Sequence, residues 1–212
     1  MTLAKICGLS TLPAVDAALA GGAAFLGFMF FDPSPRNLAP QEAARLAARA
    51  RGKARLVAVT VDPDDDLLGR LMSALAPDFI QLHGRESPNR VREIAERTGA
   101  GVIKSIPIAN ADDLAAARMF DGVVDHLMFD ARPPADASRP GGLGGALEWS
   151  LLAGQRFERP WFLAGGLDPW NVTEAVRASG APMVDVSSGV ERGPGLKDPA
   201  LIESFLAAAR RA

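Results

Sequence analysis

The stretch RLVAVTVDPDDDLLGRLMSALAPDFIQLH, residues 55–83, decides the fold class. It opens on one apolar run, RLVAVTV, and closes on another, DFIQLH, and each is short enough for a strand buried on both faces. Between the two runs, residues 64–76 place five apolar side chains at helical spacing: Leu67, Leu68, Leu71, Met72 and Leu75. Pro77 then ends the helix. The stretch therefore predicts a strand, a helix and a second strand, the unit from which parallel sheets are built.

The same alternation continues along the whole chain. Further apolar runs predict strands at LAKIC near residue 3, AFLGFMF at 24, GVIKSI at 101, VDHLMFD at 124, PWFLAG at 160 and PMVDVSS at 182. With the two strands above, this makes about eight strands, each followed by a segment with helical spacing. Eight such repeats in a chain of this length predict an α/β fold, a single-domain (β/α)8 TIM barrel over residues 1–212, with a doubly wound open sheet as the alternative.

Several helix starts carry a recognisable sequence signal. The pairs Ser87-Pro88, Asp168-Pro169 and Asp198-Pro199 each place a capping residue before a proline, which suits the first turn of a helix. The helix after Ser87 is expected to end near Gly99. Their apolar faces are expected to pack against the strands.

Composition excludes several classes of protein. Hydrophobic residues make up 48% and charged residues 23% of the 212, which is enough apolar surface for one sizeable core. The net charge is −2 and basic residues do not cluster, so no nucleic-acid partner is expected. The longest apolar run, Ala23 to Phe31, is too short to span a membrane, and the start of the chain lacks a secretory pattern, which predicts a cytoplasmic protein. One cysteine and two histidines predict neither a disulfide nor a metal site.

In a (β/α)8 barrel the functional site lies where the strands end, so polar residues at those points are the candidates. They are Cys7 after the first strand, Arg36 in the loop DPSPR after the second, His83 after the fourth, Asp130 in the sixth, and Asp185, Ser187 and Ser188 at the eighth. Taken singly, each has a structural explanation. A lone cysteine is most often a packing residue, Arg36 could be a solvated loop charge, and His83 could simply close its strand. For Asp130 the structural and functional interpretations both stay open, because a carboxylate at the end of an apolar strand must be paired or hydrated.

Glycine-rich loops predict a phosphate site. Gly165 and Gly166 follow the seventh strand and Gly189 follows the eighth, where barrels commonly bind phosphate through backbone amides. The irregular segment from Arg132 to Gly145 adds further glycines, among them Gly142 and Gly144, and is typical of a functional loop or lid.

The motifs KICG, SPR, QLHG, FD, LAGGL, VDVSSGVE and PGLKD occur in an order that spans Lys5 to Asp198. This order resembles the phosphoribosylanthranilate isomerase family of tryptophan biosynthesis. The resemblance implies a (β/α)8 barrel that performs an Amadori rearrangement of a phosphosugar-anthranilate substrate, without cofactor or metal, as a monomer or homodimer. It implies that Cys7 is the general base and Asp130 the general acid, and that Arg36 holds the anthranilate carboxylate. The glycine and serine loops after the last two strands would hold the phosphate.

That chemistry needs an acid that carries a proton and a base that has lost one at the same pH. Cys7 would have to be a thiolate near neutral pH, so we expect its neighbours to lower its pKa. Two other functions stay open from the sequence: a related isomerase of the histidine pathway, which uses two aspartates, and a non-catalytic barrel that binds phosphate ligands. Cys7 in place of an aspartate speaks against the first, and the presence of both an acid and a base candidate speaks against the second.

Overall fold

The computed structural model describes residues 1–131 and 149–212, and eight parallel strands in these ranges form a closed barrel. The strands follow chain order around the ring, and β1 pairs with β8 to close it. They are β1 (Leu3–Ile6), β2 (Phe25–Phe30), β3 (Arg55–Thr60), β4 (Phe79–Leu82), β5 (Gly101–Ile108), β6 (His126–Ala131), β7 (Trp161–Ala164) and β8 (Met183–Val186). The predicted (β/α)8 barrel is confirmed, and the open doubly wound sheet is wrong because the two end strands pair with each other. The assignment of residues 1–212 to one domain stays a prediction.

Seven helices lie in the described part of the chain. They are α1 (Leu12–Ala20), α2 (Pro40–Ala47), α3 (Asp65–Ala74), α4 (Pro88–Thr98), α5 (Ala111–Ala117), α6 (Val172–Ser179) and α7 (Pro199–Arg211). The opening stretch of the sequence forms β3, α3 and β4, as predicted. In the described ranges, no helix combines the length and the apolar character needed to cross a membrane.

Two of the three predicted helix caps are confirmed. The Ser87 hydroxyl accepts a hydrogen bond from the Arg90 amide at 3.2 Å, and the Asp198 carboxylate accepts one from the Ala200 amide at 2.9 Å. The prediction for Asp168 is wrong. Its carboxylate accepts the amides of Trp170 and Asn171 and so holds a turn, and α6 begins only after that turn.

Side chains of successive strand residues point alternately into and out of the barrel, so the apolar residues form two cores. One set fills the inside of the barrel: Cys7, Phe25, Val57, Val59, Ile103, Met128, Phe162, Ala164 and Met183. The other set lies between the strands and the surrounding helices, and includes Ile6, Leu26, Phe28, Val102 and Leu163. A residue on the inner face at the carboxyl end of a strand therefore faces the mouth of the barrel. Cys7 and Asp130 both satisfy this condition.

Candidate active site at the carboxyl ends of the strands

Cys7 is fixed at the point where the chain leaves β1. Its amide donates a hydrogen bond to the Val186 carbonyl at 2.9 Å, which continues the pairing of β1 with β8 by one residue. Gly8 then turns the chain with φ of 74°, a conformation that glycine adopts without strain. The side chain of Cys7 belongs to the inner core, and the residue is only 5% exposed. The thiol therefore lies inside the barrel, close to its mouth.

Charged side chains surround this thiol. The Lys5 ammonium is completely buried and donates a hydrogen bond to the Asp185 carboxylate at 2.7 Å, across the β1–β8 pair. Burial, the largest effect, raises the pKa of the Cys7 thiol, and the Asp185 carboxylate raises it further. The ammonium groups of Lys5 and Lys197 lower it. The net pKa lies above the ordinary value, so the expectation that its neighbours lower it overall is wrong. The physical reason is that desolvation of the thiolate outweighs the attraction of the nearby ammonium groups.

Arg36 reaches the same cluster from the loop after β2. Its aliphatic chain crosses Gly8, where an added Cβ would lie 2.5 Å from the Arg36 Cδ atom. Its guanidinium donates two parallel hydrogen bonds to Glu191, from Nε at 2.7 Å and from Nη2 at 2.6 Å. Arg36 is therefore present at the predicted place, with one edge of its guanidinium bound by a carboxylate of the protein.

Glu191 also fixes a second cation. It opens the short strand β9 (Glu191–Gly193), which pairs with β10 (Leu196–Lys197) in an antiparallel hairpin after β8. The Lys197 ammonium donates to Glu191 at 2.5 Å and to the Ser187 carbonyl and hydroxyl at 3.0 and 3.1 Å. Burial raises the pKa of Glu191, but Arg36 and Lys197 outweigh it and hold that pKa below its ordinary value. The hairpin thus ties Arg36 to the loop after β8.

Asp130 and His83 form a second group at the mouth. His83 follows β4, and its Nε2 lies 3.4 Å from the Asp130 carboxylate. The other ring nitrogen of His83 contacts the Gln81 amide nitrogen at 3.3 Å. The side chains of Asp130 and His83 are 33% and 40% exposed, so this group is open to solvent whereas Cys7 is not. Asp130 in β6 and Cys7 after β1 lie at the same mouth, with β7 and β8 between their strands.

The glycine loops after β7 and β8 touch each other. Gly165 and Gly166 have φ of 87° and 67°, which explains glycine at both positions. A Cβ on Gly189 would lie 1.9 Å from the Leu167 carbonyl oxygen, so glycine is needed there for the loops to meet. Ser187 donates its hydroxyl hydrogen bond to the Cys7 carbonyl at 3.2 Å, and Ser188 opens a short 3₁₀ turn. The loops are therefore placed beside Cys7.

The structure thus brings most predicted site residues into two groups at one end of the barrel. Cys7, Arg36, Asp185 and Ser187 form the first group, and His83 and Asp130 form the second. Gly142 and Gly144, with the predicted loop 132–145, lie outside the described residues. Among the residues that are described, no three His, Cys, Asp or Glu side chains are arranged to hold a metal ion.

Three charged residues that contact the first group were not predicted: Lys5, Glu191 and Lys197. Lys5 carried a signal, because a lysine inside an apolar strand and two residues before Cys7 must share its face and needs a buried partner. Glu191 and Lys197 lie within VDVSSGVE and PGLKD, but their hydrogen bonds to each other depend on a hairpin that the strand pattern does not reveal.

A closed (β/α)8 barrel with acid, thiol, arginine and glycine loops gathered at the carboxyl ends of its strands defines a barrel enzyme. Comparison with known proteins gives the family. The family model described as N-(5′-phosphoribosyl)anthranilate (PRA) isomerase matches residues 4–208. The chain therefore belongs to the N-(5′-phosphoribosyl)anthranilate isomerase family, and it is an isomerase.

Individual relatives agree with this assignment. A protein of Caulobacter sp. strain K31, named N-(5′-phosphoribosyl)anthranilate isomerase, is 66% identical over 212 residues, which is the full length of both chains. The solved phosphoribosyl anthranilate isomerase of Thermotoga maritima superposes with a TM-score of 0.89 at 32% identity, with all of both chains covered. A second solved structure of such an isomerase contains reduced 1-(o-carboxyphenylamino)-1-deoxyribulose 5-phosphate, with a TM-score of 0.86 at 31% identity and full coverage of both chains.

Proposed function

We propose that this protein converts N-(5′-phosphoribosyl)anthranilate into 1-(2-carboxyphenylamino)-1-deoxy-D-ribulose 5-phosphate in tryptophan biosynthesis. The observation that carries the proposal is the placement of a thiol and a carboxyl group, Cys7 and Asp130, at one barrel mouth, with β7 and β8 between the strands that carry them. The solved relative that holds a reduced form of the carboxyphenylamino deoxyribulose phosphate supports the same substrate class.

Asp130 acts as the general acid in the first step. It donates a proton to the ring oxygen of the aminosugar while the bond between that oxygen and C1 breaks, and the nitrogen lone pair forms an iminium ion. His83 contacts the Asp130 carboxyl group at 3.4 Å and faces the same solvent-accessible side of the mouth.

Cys7 acts as the general base in the second step. The iminium ion makes the C2 proton acidic, and the thiolate removes that proton to leave an enolamine. The enolamine takes up a proton at C1 and loses one from the C2 hydroxyl, which gives the ketone. Atoms and electrons balance without an external oxidant, reductant or water, as an isomerisation requires.

Arg36 holds the anthranilate carboxylate. A guanidinium has five N–H donors, and Glu191 takes one from Nε and one from Nη2. The edge formed by Nη1 and the second Nη2 hydrogen is left to bind a carboxylate in a bidentate manner. Glu191 therefore orients Arg36 without using up its binding capacity.

The loops around Gly165, Gly166, Ser187, Ser188 and Gly189 bind the phosphate. They touch each other at the Leu167 carbonyl and lie beside Cys7, which suits a substrate whose phosphate is only a few bonds from the reacting carbon. Asp185 contacts Lys5 in the same cluster, and its direct contact with substrate stays a prediction.

The test is turnover, followed by the loss of substrate fluorescence without added metal, in wild type, Cys7→Ser and Asp130→Asn. Each substitution is expected to lower kcat by about 10²–10⁴-fold, because each removes a proton-transfer group of the proposed mechanism. Glu203→Gln, at an exposed position of α7, is the matched control and should retain wild-type kcat. Nearly intact activity in Cys7→Ser would remove the thiol from the mechanism.

A cytoplasmic location and a monomeric or homodimeric state complete the proposal. Light scattering on the purified protein measures the second directly.

A further inference from the structure

Lys5 is a charged side chain inside the barrel that the proposed reaction does not use. It has no exposed surface, and the Asp185 carboxylate accepts a hydrogen bond from it at 2.7 Å. Burying an ammonium group costs free energy even when it is paired, so a fully buried lysine next to a reactive group calls for an explanation.

The Lys5 ammonium and the Cys7 thiol face the same small space. Gly27 lies opposite them on β2, and a Cβ at that position would lie 3.1 Å from the Lys5 Nζ atom and 3.1 Å from the Cys7 Sγ atom. Glycine at this position leaves room for both groups. Because Cys7 continues the extended course of β1 and lies two residues after Lys5, both side chains project to the inside of the barrel.

Four charged side chains of the described residues act on the thiol. Lys5 comes from β1, Asp185 from β8, Lys197 from β10 and Arg36 from the loop after β2, while β2 itself contributes Gly27. The guanidinium of Arg36 and the ammonium of Lys197 share Glu191, whose single negative charge offsets one of their two positive charges. Among the groups that lower the pKa of Cys7, Lys5 has the largest effect.

We propose that Lys5 is a positioning residue that stabilises the thiolate form of Cys7, and that Asp185 limits this stabilisation by pairing with the same ammonium group. The inference rests on the proposed function, in which that thiolate is the general base. Burial lowers the pKa of Lys5, but Asp185 and Cys7 outweigh this effect and hold the pKa above its ordinary value, so Lys5 is an ammonium group at neutral pH. It therefore supplies a constant positive charge beside a group that must lose a proton.

The chain offers a direct measurement of this effect. Cys7 is the only cysteine and the chain has no tyrosine, so the rise in ultraviolet absorbance of a thiolate with pH belongs to Cys7 alone. A Cys7→Ser sample supplies the blank. The absorbance is measured on the free protein and needs no reagent to enter the barrel, so the low exposure of Cys7 does not interfere.

Two variants are expected to shift this titration in opposite directions. Lys5→Met should move the midpoint upward by about one pH unit or more, because the positive charge is lost. Asp185→Asn should move it downward, because the ammonium then acts on the thiol without a competing carboxylate. Local disruption of the barrel would move both variants in the same direction. Lys104→Met, which removes a buried ammonium paired with Glu86 at 2.8 Å outside the barrel, is the matched control and should leave the midpoint unchanged.

The kinetics complete the test. In Lys5→Met the rise of kcat/KM with pH, which reports the free enzyme, should move upward together with the thiol titration. The value of kcat/KM at neutral pH should therefore fall about tenfold for each pH unit by which the midpoint rises. Near-ultraviolet circular dichroism verifies that each variant is folded. If Lys5→Met does not fold, because it leaves the Asp185 carboxylate buried without its partner, Asp185→Asn alone decides the direction.

Coincident titrations of wild type and Lys5→Met, or shifts of both variants in one direction, would overturn the role of Lys5. Neither result would contradict the role of Cys7 as the general base. Full activity in Cys7→Ser would instead overturn the base itself, so the two failures are distinguishable.

Discussion

Glu191→Gln tests whether the Glu191 side chain positions Arg36, the proposed binding group for the substrate carboxylate, together with Lys197. Glu191 accepts two hydrogen bonds from Arg36, one from Lys197 and one from the Gly195 amide at 3.1 Å. Glutamine has nearly the same shape but keeps a single acceptor oxygen and carries no charge. Its amide NH₂ group would face at least one of the cations, so the substitution replaces an attraction with a repulsion.

The magnitude follows from the burial of the three side chains. The side chains of Glu191 and Lys197 are 4% and 1% exposed, so solvent cannot replace the lost partner of Lys197. Removing one member of a buried ion pair costs about 3–5 kcal/mol, and the 20% exposure of the Arg36 side chain favours the lower end of that range. For a chain of this size, about 3 kcal/mol corresponds to a Tm lower by roughly 6–12 °C.

Differential scanning calorimetry measures the Tm, and steady-state kinetics measure KM. We expect KM to rise as well, because the Arg36 guanidinium loses the partner that orients it. Glu203→Gln, the same chemical change on the exposed face of α7, should alter neither quantity. Wild-type Tm and KM in Glu191→Gln would refute the reasoning, since they would show that the cations find equivalent partners without this carboxylate.

Two further predictions concern packing and pH. Gly189→Ala should raise KM by separating the phosphate loops, because its Cβ would lie 1.9 Å from the Leu167 carbonyl oxygen. Gly69→Ala, in open space within α3, is the control and should instead raise the Tm slightly. Equal KM values for wild type and Gly189→Ala would contradict the argument. Burial raises the pKa of Glu86, but Lys104 and two backbone amides outweigh it and hold that pKa below its ordinary value of 4.5. The stability that this depressed pKa supplies is therefore complete above pH 4.5 and is lost as the pH falls further. In urea unfolding, the free energy of unfolding should decrease less below pH 4.5 in Glu86→Gln than in wild type.

Local patterns account for most of the fold. All eight strands of the barrel were predicted, because a strand buried on both faces is a short apolar run between turn residues. Ser87 and Asp198 were predicted as caps since their side chains bond the next few amides in the chain. Asp168 has the same local signal but makes a turn, because the Asn171 side chain binds the Gly166 carbonyl and the Asp168 amide and delays the helix.

The sequence by itself determined the barrel, the strand ends that carry polar residues, and Cys7, Arg36 and Asp130 as candidates. These features depend on short-range periodicity and on the order of motifs, and both are properties of the linear sequence. Tertiary structure alone decided the electrostatics of the site. Lys5 and Asp185 are 180 residues apart in sequence, as are Ser187 and Cys7, and only closure of β1 against β8 brings them together. The pKa of Cys7 depends on burial and on those charges, so closure of the barrel decides whether that pKa lies above or below its ordinary value.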